Sequence, residues 1–325
     1  MRRAAALTAV LLAGVAGAVG CGAAEPAASP AASAPASAAA FVLDEDFPDP
    51  DVVSTDAGYV AFATGSHGLN IRVATSPDLD AWTVERRDAL PTLPAWASPG
   101  RTWAPEVTAL GDGYVMYVTA EHTASGRQCI GVATAATLDD AFTPASDEPL
   151  VCPVDDGGAI DAATFDDESG TRFLLWKTDG NCCALPTRIM MAPLTADGLS
   201  LDGDAVELLR QDQAWEGTLV EAPTLVARDG GYALFYSAND YGGDAYAVGA
   251  AWSAELEGPY EKQSEPILST AGSDGAFRGP GGQDVVPTRH GDVLVFHGWD
   301  EQYIYRGLHT ASIRLEPGEV TVDLD

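Results

Sequence analysis

The chain has 325 residues, of which 48 are Asp or Glu and 17 are Lys or Arg, so its formal net charge at pH 7 is −31. This charge repels the phosphate backbone of nucleic acids and excludes a nucleic-acid-binding function. Because an acidic surface also keeps a protein soluble, most of the carboxyl groups need no functional explanation. Only carboxyl groups at special positions in the sequence are therefore informative.

The first 21 residues have the pattern of an export signal. Met1-Arg2-Arg3 gives a positively charged start, and residues 4–19 form an apolar stretch that is too short for a comfortable membrane span. The run Ala18-Val19-Gly20-Cys21 then resembles the lipobox of bacterial lipoproteins, in which the cysteine receives a lipid. We predict an exported protein that contacts the membrane only through a lipid on Cys21, with ordinary cleavage among the downstream alanines as the alternative.

Two segments follow the signal. Residues 22–40 contain almost only Ala, Ser and Pro, a composition that cannot bury a core and predicts a flexible linker. Residues 41–325 contain no second apolar span and no low-complexity break. They are predicted to form one large domain.

Five repeats of similar length run through this domain. Each opens with a short apolar strand, continues through a Gly/Asp turn into a strand rich in aromatic residues, and ends with a strand of small and β-branched residues. The repeats begin at Asp49, Trp103, Asp161, Glu221 and Gly282, with steps of 54, 58, 60 and 61 residues. A propeller blade has four strands in roughly 40 to 50 residues, and loops explain the excess. The fold is predicted to be an all-β five-bladed β-propeller, because a β-sandwich or β-helix does not explain this period.

Four cysteines remain in the domain, and an exported protein can oxidise them to disulfides. We expect Cys129 to pair with Cys152, which would join the end of one hairpin to the next connection. Cys182 and Cys183 are then left as a bonded vicinal pair or as free thiols. A zinc site is disfavoured, because adjacent cysteines lack the spacing of zinc ligands.

Acidic residues open three of the five repeats. In a propeller the first strand of every blade lines the central channel, so Asp49, Asp161 and Glu221 are expected to meet at one end of the axis. Each acid alone could cap a strand or a turn, but recurrence at one repeat position favours a functional cluster. Like charges and partial burial would push the pKa values of such groups apart, as acid–base catalysis requires.

Four short motifs make the sequence similar to a known enzyme family. They are Phe47-Pro48-Asp49-Pro50, Trp103-Ala104-Pro105-Glu106-Val107, Ile160-Asp161 followed by Phe165, and Val220-Glu221-Ala222-Pro223. Over residues 45–315 the chain resembles glycoside hydrolase family 43, the inverting arabinofuranosidases, arabinanases and β-xylosidases, which are five-bladed propellers. The resemblance implies that Asp49 is the general base, Glu221 the general acid, and Asp161 the carboxylate that orients the acid and raises its pKa.

Inversion suits these residue types. One carboxylate deprotonates water on one face of the sugar, while a protonated acid about 6.5 to 9.5 Å away protonates the leaving oxygen, and no cofactor is required. Glu216 is an alternative acid, and Glu106, three places past its strand start, is expected to point elsewhere. Trp103 opens the second repeat, so its ring is expected to face the channel and to stack on a sugar.

One histidine marks an expected ion site. In relatives of the resembled family, a histidine at a place similar to that of His297 touches a channel ion, often calcium, so the resemblance implies Ca²⁺ in the central channel. Against this, a lone histidine is more often a packed core residue. Gly282-Gln283 also departs from relatives that place a histidine in this segment.

The motifs leave the substrate open. The expected substrate is an oligo- or polysaccharide of plant type, first of all one with α-L-arabinofuranosyl linkages, as in arabinan or arabinoxylan. A β-xylosidase of the same fold shares every motif quoted and is the first alternative. A tethered carbohydrate-binding propeller without catalysis is the second, although it would have no reason to keep all three acids.

Overall fold

The computed structural model describes residues 39–228 and 230–324. The predicted signal peptide, Cys21 and the linker up to residue 38 lie outside the described residues. The described part of the chain consists of short 3-10 helices and β-strands, and none of its helices is long and apolar enough to cross a membrane.

The described strands form five antiparallel sheets, each a meander of four successive strands. Blade 1 contains β1 (Asp51–Thr55), β2 (Gly58–Thr64), β3 (Ile71–Ser76) and β4 (Thr83–Val84). Blade 2 contains β5 (Ala97–Leu110), β6 (Gly113–His122), β7 (Arg127–Ala135) and β8 (Thr143–Pro144). Blade 3 contains β9 (Ala159–Asp166), β10 (Arg172–Thr178), β11 (Arg188–Pro193) and β12 (Val206–Arg210).

The last two blades follow the same plan. Blade 4 contains β13 (Val220–Arg228), β14 (Gly231–Ala238), β15 (Ala247–Ser253) and β16 (Glu261–Lys262), and a short β17 (Leu268–Ser269) also pairs with β15. Blade 5 contains β18 (Gly281–Thr288), β19 (Gly291–Trp299), β20 (Arg306–Glu316) and β21 (Glu319–Val322). The 3-10 helices are η1 (Val154–Asp156), η2 (Gly180–Cys183) and η3 (Ala214–Glu216).

The five first strands close a ring. Strands β1, β5, β9, β13 and β18 each contact the next one, and β18 contacts β1. Five clusters of buried apolar side chains lie between neighbouring sheets, one for each pair of blades around the ring. Since burial of a Phe, Leu or Val side chain contributes about 1.5 to 3 kcal/mol, these clusters hold the blades together. The predicted five-bladed propeller is confirmed.

The start of the domain binds the last blade. Leu43 pairs with Leu308 of β20, and the Phe47 amide donates a hydrogen bond to the Arg306 carbonyl. The Ala39 amide also donates a hydrogen bond to the carbonyl of Ala276, which follows blade 4. This segment joins blade 5 to blade 1 at the point where Asp49 enters the channel.

Two disulfides join the four cysteines of the domain. Cys129 is bonded to Cys152, as predicted, across a sequence separation of 23 residues. Closing a loop of this size in the unfolded chain contributes about 3 kcal/mol of stability. Cys182 and Cys183 form the vicinal pair, the first of the two alternatives, in η2.

Candidate active site

Each inner strand has a residue in the left-handed backbone region, either within the strand or just before it. These residues are Asp49, Ala104, Asp161, Ala222 and Gly282, with φ between 39° and 56°. In blades 2 to 5 the strand register shifts at this point, which marks a β-bulge. Trp103 and Glu221 therefore stand one residue before the position of Asp49 and Asp161. The predicted alignment of the five repeat starts is wrong by one residue in blades 2 and 4, because a bulge adds a residue that strand patterns do not reveal.

Polar side chains on the second strands hold these bulges. The hydrogen bonds are Asp49 N–H to His297 Nδ1 (3.1 Å), Ala104 N–H to Thr64 Oγ1 (2.8 Å), Asp161 N–H to Thr119 Oγ1 (3.3 Å) and Gly282 N–H to Ser237 Oγ (2.9 Å). Each bond runs from one blade to the preceding blade. Blade 3 has Lys177 at the corresponding place, and the Ala222 amide donates instead to Asp161 Oδ2 at 3.0 Å. Lys177 is thereby left to pair with a carboxyl group.

The three predicted acids line one cavity of about 760 Å³, together with Trp103. Tyr246 shows how closely the acids converge. Burial raises the pKa of the Tyr246 phenol well above its usual value, and the negative charges of Glu221, Asp49 and Asp161 raise it further. The Tyr246 hydroxyl contacts Glu221 directly, at 2.8 Å from Oε1, and the other two carboxyl groups are near enough to act on it electrostatically.

Asp49 is held by a hydroxyl group and a cation. The Thr64 hydroxyl donates a 2.6 Å hydrogen bond to Asp49 Oδ2, and Arg306 Nη1 lies 3.5 Å from Oδ1. The side chain of Asp49 is 23% exposed, so water can reach it. The Asp49 carboxyl group is thus fixed in orientation and open to solvent, as a group that activates water must be.

Glu221 is fixed by two buried donors. The Tyr246 hydroxyl donates to Oε1 and the Lys177 ammonium to Oε2, both at 2.8 Å. Burial opposes the charge of Lys177, but the negative charges of Glu221, Asp161 and Asp179 outweigh it and raise the pKa of this ammonium. Lys177 therefore stays charged and sets the orientation of the Glu221 carboxyl group.

The surroundings of Asp161 raise its pKa. Burial raises the pKa of Asp161 well above its usual range, the negative charge of Glu221 raises it further, and Lys177 partly opposes the rise. The raised pKa means that Asp161 keeps its proton to a higher pH than an ordinary aspartic acid, so the site retains an acidic proton near Glu221. A retained proton is the resource that a general acid needs.

His297 makes contacts with the protein on both sides of its ring. Its Nδ1 accepts the hydrogen bond from the Asp49 amide, and its Nε2 lies 3.4 Å from Arg306 Nη1. Burial and the charge of Arg306 lower the pKa of His297 well below its usual value, so the ring is neutral. Calcium prefers six to eight oxygen ligands, and His297 does not fit such a site in this chain. Its observed contacts position Asp49.

The position beside His297 is occupied by Gly282, and there is no room for a side chain there. A Cβ atom at Gly282 would lie 2.7 Å from Asp49 Oδ1 and 2.5 Å from His297 Cε1. Together with its φ of 55°, this close approach requires glycine. Within residues 39–228 and 230–324, the cluster with metal-ligand spacing is His122, Cys129 and Cys152, and its cysteines are already bonded to each other.

Glu216, the alternative acid, has a structural place. It is fully buried outside the cavity, where it accepts the Tyr236 hydroxyl at 2.8 Å and pairs with Lys262 at 2.7 Å. Its other oxygen accepts the backbone amides of Asp212 and Gln213 at the start of η3. These contacts favour Glu221 over Glu216 as the general acid.

Glu106 was expected to point elsewhere, and this was wrong. It lines the same channel below the three acids, with Asp51 and Asp284. Each of these deeper acids accepts an amide of the next blade: Asp51 from Val107 (3.0 Å), Glu106 from Thr164 (2.9 Å) and Asp284 from Val52 (2.9 Å). Burial, followed by the charge of Glu106, raises the pKa of Asp284 to about 7. The deeper acids join neighbouring blades.

Three contributors to the site went unnoticed in the sequence. Lys177 interrupts the apolar strand β10, and a lysine in such a strand needs a buried partner, so a signal was present. Tyr246 and Arg306 stand just before or at the start of third strands, where no pattern distinguishes them. The role of Arg306 depends on the closed ring, which brings blade 5 next to Asp49, whereas Tyr246 contacts Glu221 of its own blade.

Comparison with known proteins agrees with this geometry. The family model described as glycosyl hydrolases family 43 matches residues 40–317. The chain is 25% identical over 270 residues to "Extracellular endo-alpha-(1->5)-L-arabinanase 1" of Bacillus subtilis (strain 168), covering 78% of this chain and 80% of that protein. It is 26% identical over 274 residues to "Beta-D-galactofuranosidase xynD" of Aspergillus niger, covering 80% and 73%.

A solved structure gives the same result. The crystal structure of a thermostable family-43 glycoside hydrolase matches with a TM-score of 0.75 and 26% identity, covering 85% of this chain and 92% of that one. Since the family model spans most of the chain, the protein belongs to glycosyl hydrolases family 43.

Proposed function

We propose that this glycoside hydrolase is an exported, inverting enzyme with Asp49 as general base, Glu221 as general acid and Asp161 as the acid that orients Glu221 and helps it keep a proton. The observation that carries the proposal is that these three carboxyl groups, from three different blades, line one cavity. The contrast in their partners supports the separate roles. Asp49 has a cation and a hydroxyl beside it, whereas Glu221 is held by two buried donors, Lys177 and Tyr246.

In the proposed reaction, Asp49 takes a proton from water, and the water oxygen bonds to the anomeric carbon as the bond to the leaving oxygen breaks. Glu221 gives its proton to the leaving oxygen, so the products are a sugar of inverted configuration and a free hydroxyl group. Lys177 and Tyr246 then stabilise the Glu221 carboxylate. Trp103 lines the same cavity and is proposed to stack on the reacting sugar. No metal ion takes part in this scheme.

The proposed substrate is an α-L-arabinofuranosyl linkage of arabinan or arabinoxylan. The names of both relatives above support a furanosyl sugar, since one is an arabinanase and the other a galactofuranosidase. A β-xylosidase of the same fold is the alternative enzyme. A non-catalytic sugar-binding propeller is less well supported, because sugar binding alone does not require three acids in one cavity or the buried Lys177.

Product analysis tests the proposal. The domain is incubated with linear arabinan, branched arabinan, arabinoxylan and xylo-oligosaccharides, and the products are separated by size. We expect arabinose or arabino-oligosaccharides, and proton NMR of the first product should show anomeric inversion. Release of xylose alone would favour the β-xylosidase, and retention of configuration would rule out the base assigned to Asp49. Sugar binding without any product would favour the binding propeller.

Export and anchoring are part of the same proposal. The name of the Bacillus subtilis relative includes the word extracellular, which supports export of this chain. The sequence up to Cys21 supports lipidation at this residue. The lipidated protein should partition with membranes, and Cys21→Ser should release it into the medium. A wild-type protein recovered only from the medium would contradict the anchor.

A further inference from the structure

Exposed aromatic rings gather on one part of the cavity rim. We call Tyr241, Trp299 and Tyr303 the rim platform. Tyr241 is 51% exposed and lines the cavity, and Tyr303 is 38% exposed. The Trp299 indole N–H donates a 2.7 Å hydrogen bond to the Tyr241 carbonyl, which joins the loop after β14 to the end of β19. The platform therefore belongs to both blades 4 and 5.

Contacts with neighbouring groups hold the platform in place, among them Arg278, which lies 6.0 Å from the centroid of the Tyr303 ring, while Tyr241 and Tyr303 remain partly exposed. The ring centroids of Trp299 and Tyr303 are 5.9 Å apart, and the Tyr303 hydroxyl donates a hydrogen bond to Asp244. The Arg306 guanidinium lies over both Tyr241, at 5.0 Å, and Trp299, at 5.7 Å. Rings held this way lose little conformational entropy when they bind a ligand.

Arg306 also connects the platform to the reacting end of the cavity. Its Nη1 atom is 3.5 Å from Asp49 Oδ1, while its guanidinium carbon stacks against two platform rings. The platform surface is thus continuous with the cavity that contains the candidate base. A polymer with one residue in the cavity would pass over these rings as it leaves on this side.

The chemistry of the platform fits a neutral sugar. Aromatic faces carry negative partial charge and attract the C–H groups of a sugar face, and nearby carboxylates accept hydrogen bonds from its hydroxyl groups. Asp240 lines the cavity beside Tyr241, and Asp244 lies beside Tyr303. With a net charge of −31, the protein repels polyanionic chains and not neutral ones. Exposed apolar rings that rim a cavity mark a binding surface.

We propose that the rim platform is a second sugar subsite, which binds a neighbouring residue of the neutral polysaccharide whose reacting residue occupies the cavity. The inference rests on the proposed function. It implies that the enzyme binds chains more tightly than single glycosides. It also assigns the side of the cavity, between blades 4 and 5, from which the rest of the chain extends.

Tyr303 gives the sharpest test, because its ring lies outside the cavity and does not contact Arg306. In an Asp49→Asn background that cannot turn over substrate, Tyr303→Ala should raise the Kd for arabinohexaose or xylohexaose about fivefold, as expected for the loss of one stacking contact. Tyr303→Phe keeps the ring and loses only the hydrogen bond to Asp244, so it should bind with nearly wild-type affinity. Calorimetry measures both values, and thermal unfolding checks that the variants are folded.

Kinetics separate this proposal from the one on which it rests. In the active enzyme, Tyr303→Ala should lower the ratio of kcat/KM on the hexaose to kcat/KM on a 4-nitrophenyl glycoside by about the same fivefold. A wild-type protein that hydrolyses neither hexaose contradicts the proposed function itself. An active wild type with an unchanged ratio and unchanged Kd in Tyr303→Ala overturns the subsite alone. The same holds if Tyr303→Ala changes only the oligomeric state in gel filtration, since the platform would then bind a second copy.

Discussion

Asp49→Asn is expected to lower kcat at least about 100-fold on arabinan and on a 4-nitrophenyl arabinofuranoside alike, because general bases contribute roughly 10² to 10⁴ in rate. Both substrates need the same activated water, so the quality of the leaving group does not relieve the defect. Asparagine has the shape of aspartate and can still accept the hydrogen bond from Thr64. The loss should therefore appear in kcat and not in the folding of the protein.

Asp56→Asn is the matched control for this loss. Asp56 lies exposed in the turn between β1 and β2, in the same blade as Asp49, and it does not line the cavity. This variant should keep wild-type rates on both substrates, and circular dichroism should show the same unfolding temperature for all three proteins. If Asp49→Asn retains more than about a tenth of the wild-type rate, Asp49 is not the general base.

The architecture could be predicted from the sequence, but the alignment of equivalent positions in blades 2 and 4 could not. The alternation of apolar and polar residues and the steady repeat length predict five blades, because every blade buries the same two faces against its neighbours. The bulge in the inner strands of blades 2 to 5 inserts one residue without changing this pattern. The predicted repeat starts in blades 2 and 4, Trp103 and Glu221, are therefore one residue before the equivalent positions, although both residues line the cavity.

The same limit applies to the candidate site. Asp49 and Asp161 share a repeat position, and Glu221 is its neighbour, so the acids could be found by comparing repeats. The groups that distinguish them could not be found in this way. Arg306 of blade 5 reaches Asp49 of blade 1 only because the ring closes, and Tyr246 reaches Glu221 from the loop before the third strand of the same blade. Repeat patterns thus find residues that recur, and miss residues that serve one blade only.

Glu221→Gln is expected to show the opposite substrate dependence to Asp49→Asn. A general acid matters when the leaving oxygen needs a proton, so the rate on arabinan should fall at least about 100-fold. A 4-nitrophenolate leaves as a stable anion without protonation, and its release should fall far less, by about tenfold or less. Glutamine can still accept the Tyr246 hydroxyl, so the site should keep its shape. Initial rates on the two substrates measure the difference.

Two further variants make the assignment of Glu221 specific. Glu216→Gln breaks the buried pair with Lys262 and should cost roughly 3 kcal/mol in unfolding free energy while the rate on arabinan is kept. Asp161→Asn removes the carboxyl group whose raised pKa lets the site keep a proton, so the alkaline limb of kcat/KM should move to lower pH. Two results would contradict the assignment of Glu221 as general acid. The first is that Glu221→Gln loses equal activity on arabinan and on the nitrophenyl glycoside. The second is that Glu216→Gln is stable but inactive on arabinan alone.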